Sequence, residues 1–346
     1  MSDPDAGAPE RVADPGAARF ARRLWAAREL GIVVALALLV LVTVVGNPAF
    51  LSPQSLRDLV LGAAVLVVLA VGQTVVIVSR NIDLSVGSVL GLAAFATGKL
   101  LSSAPGTPIA LVVLLGVGIG ALCGAVNGAL VAVARVPALV ITLGTLYIFR
   151  GLDHAWAKGQ QVNASDMPRD FLGLGTSTVL GVPVPALVAA AVVLVVGFHL
   201  RSYRSGRELY AIGSEPAAAR LSGLPVGRRV FTAFVVCGAS AGLAGVLHTA
   251  RFGTVDATAG TGVELQVVAA AVVGGVAIFG GSGSAHGAAL GALLLTTIGS
   301  SLAVLRINPF WQQAVVGALI LAAIGIDRLL VVRAANRLRG RSSHGA

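Results

Sequence analysis

The sequence predicts an all-α, polytopic membrane protein with about ten transmembrane helices, and three observations predict it. Only 12% of the 346 residues are charged and 56% are hydrophobic, whereas an ordinary soluble domain carries about 25% charged residues. Mean hydropathy is +0.90. Uncharged runs of membrane-crossing length, ~20 residues each, recur along nearly the whole chain and leave only short connections.

Taken in order, the spans fall at 30–50, 59–79, 84–103, 109–134, 136–150, 179–199, 230–249, 263–281, 285–305 and 311–332. Pro105-Gly106-Thr107-Pro108 divides one long uncharged stretch, and Gly280-Gly281-Ser282-Gly283-Ser284 divides another; both are turn signals. Residues 1–28 read as a disordered, basic cytoplasmic segment, its first 18 positions rich in Ala, Gly, Pro and Asp. Arg19, Arg22, Arg23 and Arg28 precede the first apolar run in the manner of a signal peptide. No small-x-small cleavage site follows before Asn47-Pro48, so the run is read as a retained span. Residues 29–332 then form one transmembrane domain and 333–346 a basic tail.

Positive charge sets the orientation. With the N-terminus in the cytoplasm, most of the 25 Lys and Arg fall on that side. Arg57, Lys99, Arg150, Lys158, Arg169, Arg251 and Arg306 are left on the other. Both termini are therefore expected to be cytoplasmic. The formal net charge of +10 gathers in short segments between apolar runs, with no basic face interleaved with aromatics, which excludes nucleic acid as a partner. Cys123 and Cys237 lie inside apolar runs, and no His, Cys, Asp or Glu spacing suits a metal. There is no Gly-x-x-x-x-Gly-Lys-(Ser/Thr), so the chain does not itself hold ATP in a P-loop. No nucleophile arrangement or paired carboxylates within a span point to catalysis, and no cofactor is implied.

The largest cytoplasmic loop, 200–229, carries the most information. Its stretch 206–225 reads as one short helix: Ser214 as N-cap, Glu215 at the positive end of the dipole, Pro216 in the first turn. Three alanines favour helix, and Gly223 and Pro225 stop it. A helix that short is unstable alone in water. It either docks in a groove on a partner or packs on the bundle as a linker.

This loop resembles the coupling loop of ATP-binding-cassette (ABC) importer permeases, and more specifically that of the ribose-type sugar permease family. That family's Gly-x-(Asn/Ser)-x-x-Ala-Ala-x-x-Ser-Gly is matched by Gly213, Ser214, Ala217, Ala218, Ser222 and Gly223, with Glu215 and Arg220 between them. Gly72-Gln73-Thr74 through Asn81-Ile82-Asp83-Leu84-Ser85-Val86-Gly87-Ser88 is similar to the family's second signature. Ala259-Gly260-Thr261-Gly262-x-Glu264-Leu265 through Gly274-Gly275 and Gly280-Gly281-x-Gly283 is similar to its third. The likeness runs over about residues 45–330. The family usually has two glycines before the Ile-Asp, where this chain has Ser79-Arg80-Asn81; a charged residue there resembles the rhamnose and autoinducer-2 branches more.

The resemblance implies a translocation subunit in the bacterial cell membrane that is not an enzyme. Implied partners are a separate ABC ATPase, an extracytoplasmic sugar-binding protein, and a second permease subunit, either identical or a paralogue. The implied cargo is rhamnose, another monosaccharide or autoinducer-2. A self-contained, ion-coupled carrier is the rival reading, but such carriers place ionisable relays mid-span. Here the ionisable residues cluster at span ends.

Candidates for the path are Gln73, Asn81, Asp83, Ser85, Asn127, Thr142, Thr145, Glu264 and Gln266. The uncharged members, with Gln312 and Gln313, suit a neutral sugar better than an ion. Asp83 and Ser85 have two readings: a broken helix lining the path, or a cap at the cytoplasmic surface. Gly87/Gly91, Gly116/Gly120, Gly124/Gly128 and Gly287/Gly291 read as small-residue packing faces. Asp153, His154, Asp166, Asp170 and Asp256 are read as outside-loop charges, either solvated or meeting a delivery protein.

Overall fold

The computed structural model describes residues 15–134, 136–323 and 325. The helices are α1 (Pro15–Gly46), α2 (Pro53–Val78), α3 (Val86–Ser103), α4 (Ile109–Ala134), α5 (Ala138–Ala157), α6 (Arg169–Thr176), α7 (Val184–Ser202), α8 (Arg204–Ser214), α9 (Pro216–Leu221), α10 (Val226–Phe252), α11 (Val263–Val273) and α12 (Ala285–Val304). A further helix, α13, covers Trp311–Ala323. A two-residue hairpin, β1 (Thr178–Val179) with antiparallel β2 (Val182–Pro183), leads into α7. Six of these helices (α2, α3, α4, α7, α10 and α12) are long and apolar enough to cross a membrane. Each of the ten expected segments contains a helix.

Local chemistry explains the starts. Ser52 caps α2 by accepting from the Ser55 N–H at 3.2 Å, with Pro53 in the first turn. Ser284 caps α12 the same way through Gly287, at 3.0 Å. α2 is the central helix, buried along most of its length against α7, α10, α11 and α12. The tightest pairing is α4 with α10. There Gly120 and Gly124 of α4 and Gly238 and Gly242 of α10 lie so close to the other helix that an added Cβ would run into a facing backbone carbonyl. Without a hydrophobic drive between helices in lipid, this close approach is what holds two of them together. Gly287 and Gly291 pack likewise on Gly274 and Ala270. At the periphery, α1 is tied to α12 by the Thr43 hydroxyl donating to the Ser301 hydroxyl, 2.8 Å, and Asn47 donating to the Val304 carbonyl, 3.1 Å. Leu38, Leu114, Tyr147 and Phe198 face outward from α1, α4, α5 and α7, as side chains against lipid or another membrane chain do.

Four expectations need correction. Helix α1 begins at Pro15, inside the stretch expected to be disordered, because the Ala- and Arg-rich sequence after it favours helix. α5 continues to Ala157, which puts Asp153 and His154 on the helix, with Asp153 fully buried rather than in a surface loop. The stretch 206–225 holds two helices, α8 and α9, instead of one. The segment 263–281 is a half-length helix: α11 stops at Val273, where Gly274-Gly275 opens a loop with left-handed backbone at Gly275, Gly280 and Gly281. Residues 1–14, Arg135 and the tail 333–346 lie outside the described residues.

The entry to α11 is the least ordinary feature. After α10 the chain 253–262 turns back along α3, with Val255 against Gly98, Ala259 against Gly91 and Gly260 against Gly87. Non-helical backbone at such depth is tolerated only where protein or a wet cavity shields it. α3 supplies that shield through its glycines.

Candidate functional site

Three groups of residues form the site, starting with the loop that the sequence singles out. α8 lays Leu209 and Ile212 into the bundle, while Glu208 accepts from Arg204 Nε at 2.8 Å and pairs with Arg229 at the start of α10. The Arg229 hydrogen bond, with Arg204 beside it, holds the Glu208 carboxyl below its usual range. α9 follows with Glu215 as N-cap, accepting from the Ala217 N–H at 3.4 Å. Ser214 is the last residue of α8, so the capping role expected of it belongs to Glu215. Extended backbone at Glu215 breaks the two helices apart. Ser222 and Gly223 close α9, with Gly223 left-handed at φ 74° and its N–H on the Arg220 carbonyl at 3.0 Å. α9 buries Ala219 but exposes Ala217, Ala218, Arg220 and Leu221, the last at 91%.

α8 reaches the α11–α12 loop through that loop's backbone. The Tyr210 hydroxyl donates to the Gly283 carbonyl at 2.9 Å, and the Gly281 N–H donates to the Val78 carbonyl at 2.9 Å. Gly213 sits against that same carbonyl and the Gly281 N–H, leaving no room for a Cβ. α8, the end of α2 and the α11–α12 loop thus meet at one point.

The second group is the break between α2 and α3. α2 ends with Arg80 in left-handed backbone, φ 68°, its N–H on the Ile77 carbonyl at 2.8 Å. Glycine takes this conformation without strain, and Arg80 occupies one of the two positions where the resembled pattern carries glycine. Asp83 is only 1% exposed, so the surface-cap reading is wrong as to place. Its Oδ1 accepts from the Ser85 N–H at 2.8 Å and the Ser85 hydroxyl at 2.7 Å. Asn127 of α4 donates to the Ser85 hydroxyl at 2.7 Å and approaches both Asp83 oxygens at 3.4 Å. Thr142 of α5 donates to the Ile82 carbonyl at 3.2 Å. Four expected residues therefore converge from three parts of the chain to steady one helix break. Thr145 bonds within its own helix, to the Thr142 carbonyl at 3.3 Å. Asn81 turns back onto Ser79, 2.9 Å, and Gln73 is buried apart against Cys237, 3.4 Å.

The third group surrounds the re-entrant chain. Arg150 donates to the Ala259 and Ala257 carbonyls at 2.6 and 3.1 Å, pinning the 253–262 segment to α5. Glu264, in the first turn of α11, faces Gly87 of α3, and Asp153 faces Gly91. Both Asp153 oxygens are buried without a hydrogen-bond partner among the described residues. Gln266 lines a cavity beside α11. Arg150 and Asp153 were not among the expected path residues. Their spacing of three on a helix whose last turns carry charge was the available signal.

No group of three or more potential metal ligands occurs among the described residues. The arrangement consists of a short exposed helix, a helix break behind it, and a polar interior.

Comparison with known proteins agrees with this geometry. Residues 55–324 match the family described as "Branched-chain amino acid transport system / permease component". The autoinducer 2 import system permease protein of Enterobacter sp. (strain 638) is 37% identical over 300 residues, 87% of this chain and 86% of that protein. The D-allose transport system permease protein of Escherichia coli (strain K12) is 34% identical over 281 residues, 81% and 85% of the two chains. The ribose import permease protein of the same strain is 35% identical over 313 residues, 89% and 96%. No solved structure gives a significant match. The chain therefore belongs to the branched-chain amino acid transport system / permease component family, as a cell-membrane permease component of the ribose, allose and autoinducer-2 kind of ABC sugar importer.

Proposed function

We propose that this chain imports a neutral monosaccharide as one of two membrane-spanning subunits, with α9 seated in a groove of an ABC ATPase. The observation that carries the reading is α9 itself: six residues, capped at both ends, with a small Ala-Ala surface and Leu221 left almost bare. A helix this short keeps its shape only when held, and α8 holds it on one side. A groove on a partner supplies the other side. ATP is hydrolysed on the partner, and closure there moves α8 and α9 as a rigid body. A sugar-binding protein delivers cargo at the opposite end of the bundle. On this reading the chain crosses the membrane about ten times, with both termini in the cytoplasm. The second permease subunit is a copy of this chain or a paralogue.

Autoinducer-2 is a second cargo reading, favoured by the 37% identity to an autoinducer 2 import permease. The Ser79-Arg80-Asn81 departure keeps rhamnose among the sugars to test. A self-contained ion-coupled carrier is set aside by family membership.

The test is gentle solubilisation of the tagged chain from its host membrane. An ATPase with P-loops is expected to co-purify with the wild type and to be weakened by Glu215→Arg and Gly223→Val. Its co-purifying binding protein is then screened against rhamnose, ribose, allose and autoinducer-2. A wild-type chain that brings down no ATPase under several mild conditions would overturn the reading.

A further inference from the structure

We propose that the cavity beside the start of α11 is a transit subsite for a neutral polyol inside a single subunit, gripped by His248, Gln266 and Gln312 with Arg251 at its rim. The proposal rests on the sugar-import reading and adds a place for the cargo. The cavity holds about 450 Å³, within the range of about 300–1,000 Å³ usual for small-molecule sites. It lies away from the coupling segment, among α2, α3, α10, α11, α12 and α13.

Two independent observations point to a hydrogen-bonding occupant. The first is polar groups without partners. His248, Gln266 and Gln312 all line the cavity, yet none makes a side-chain hydrogen bond among the described residues. Arg251 has one long hydrogen bond, 3.4 Å to the Asp58 carbonyl, lies over the Phe252 ring at 4.7 Å, and has no carboxylate within ion-pair distance among the described residues. His248, Gln266 and Gln312 are all half-buried, so their donors and acceptors stay open to whatever occupies the cavity. The second observation is the backbone. The chain 253–262 breaks helical structure deep in the bundle, and α11 begins there at Gly262 with no side-chain cap. Gly260 and Val263, on either side of that start, both line the cavity. The first N–H groups of a half-helix have no intrahelical partner and can donate to hydroxyls beside it.

The lining selects the class. No Asp or Glu lines the cavity, so a cation finds no counter-charge. Amide and imidazole groups both donate and accept, as hydroxyls require. Leu66, Leu69 and Leu90 offer apolar contact for the C–H faces of a sugar ring. Each hydrogen bond is weak on balance, so the cargo binds and leaves.

The experiment uses the reconstituted complex with its ATPase and loaded binding protein, and compares wild type with Gln266→Leu and Gln312→Leu. Because neither amide has a protein partner, leucine of similar size should leave the fold intact. Initial uptake of the transported sugar is expected to fall about five- to tenfold in each variant. A deoxy analogue of that sugar should fall less, and ATP hydrolysis should stay within about twofold. Unchanged uptake of both sugars overturns the subsite while leaving sugar import standing. So does parallel loss of uptake and ATP hydrolysis in both variants, or an equal fall for sugar and deoxy analogue. A wild-type complex that imports no neutral polyol, or prefers an anionic one, overturns the sugar reading and the subsite with it.

Discussion

The bundle is interrupted twice at the same end, between α2 and α3 and between α11 and α12, and the two interruptions are built by opposite means. The first is held by side chains: Asp83, Ser85, Asn127 and Thr142 bond one another or the local backbone across three helices. The second is held by backbone. Its turn is closed by the Ala277 N–H on the Ser282 carbonyl at 3.0 Å and the Gly280 N–H on the Ala277 carbonyl at 2.9 Å, with glycines in left-handed geometry. Both then launch a helix after a serine, with two glycines four residues apart in its first turns: Ser85, Gly87, Gly91 and Ser284, Gly287, Gly291. The difference teaches a division of labour. A buried polar cluster has much to lose if pulled apart, so the first break is the fixed one. The second has few side chains to displace, and it is the one that Tyr210 and Gly213 of α8 touch.

The largest expected effect comes from breaking the first interruption. Asp83→Ala removes the acceptor of both Ser85 bonds and strands buried donors, at a cost of about 3 kcal/mol. The thermal unfolding midpoint in detergent or lipid should fall clearly, with Asp83→Asn falling less. An unchanged midpoint would mean that the cluster fixes nothing. Gly281→Ala attacks the second break, since its φ of 76° and the neighbouring Ser214 leave no place for a Cβ. A cost of about 2 kcal/mol is expected, seen as a smaller shift in the same midpoint and faster proteolysis within 274–284. Arg80→Gly sharpens the comparison in the other direction. It relieves the left-handed arginine at the end of α2 and should raise the midpoint, by about 1 kcal/mol of stability.

The smallest effect is a pH dependence at the clamp between α8 and α10. Arg229 and Arg204 depress the Glu208 carboxyl. The clamp is therefore complete above the ordinary glutamate value and is lost as pH falls through the lowered one. Acid should loosen α8, seen as lower amide-exchange protection, relative to intrinsic rates, over 204–214 below the usual carboxylate range. Glu208→Gln should show that lowered protection already at neutral pH, and the difference from wild type should shrink in high salt. Exchange over α8 that ignores both the substitution and pH would remove Glu208 from the account.

Much of this architecture was legible in the sequence, and the gaps have physical causes. Helix positions followed from uncharged runs, and the α4 side of the α4–α10 seam from glycines spaced by four, though not the helix that it meets. Gly223 as a stop signal needed only its rank as the residue that tolerates left-handed backbone. Hidden was the half-length of α11, because 263–279 is apolar almost throughout and only Gly274-Gly275 marks its end. The docking of 253–262 along α3 was hidden too, since a Gly-, Thr- and Asp-bearing segment reads as surface loop unless the glycine face of α3 is known to receive it. Ser214 and Glu215 are both plausible caps, and the choice fell to the end of α8, which the sequence ran together with α9. The meeting of Asp83, Asn127 and Thr142 is tertiary, and no local pattern announces it.

The central claim is that motion of α8 and α9 enters the bundle where Gly213, Val78 and Gly281 meet. The most direct measurement is ATP hydrolysed per sugar moved by the reconstituted complex, wild type against Gly213→Ala. The added methyl group should prise Gly281 from the Val78 carbonyl. The account then expects ATP hydrolysis to continue while uptake falls about tenfold, the size of a typical coupling free energy between sites. An unchanged ratio in a complex that assembles normally would contradict it.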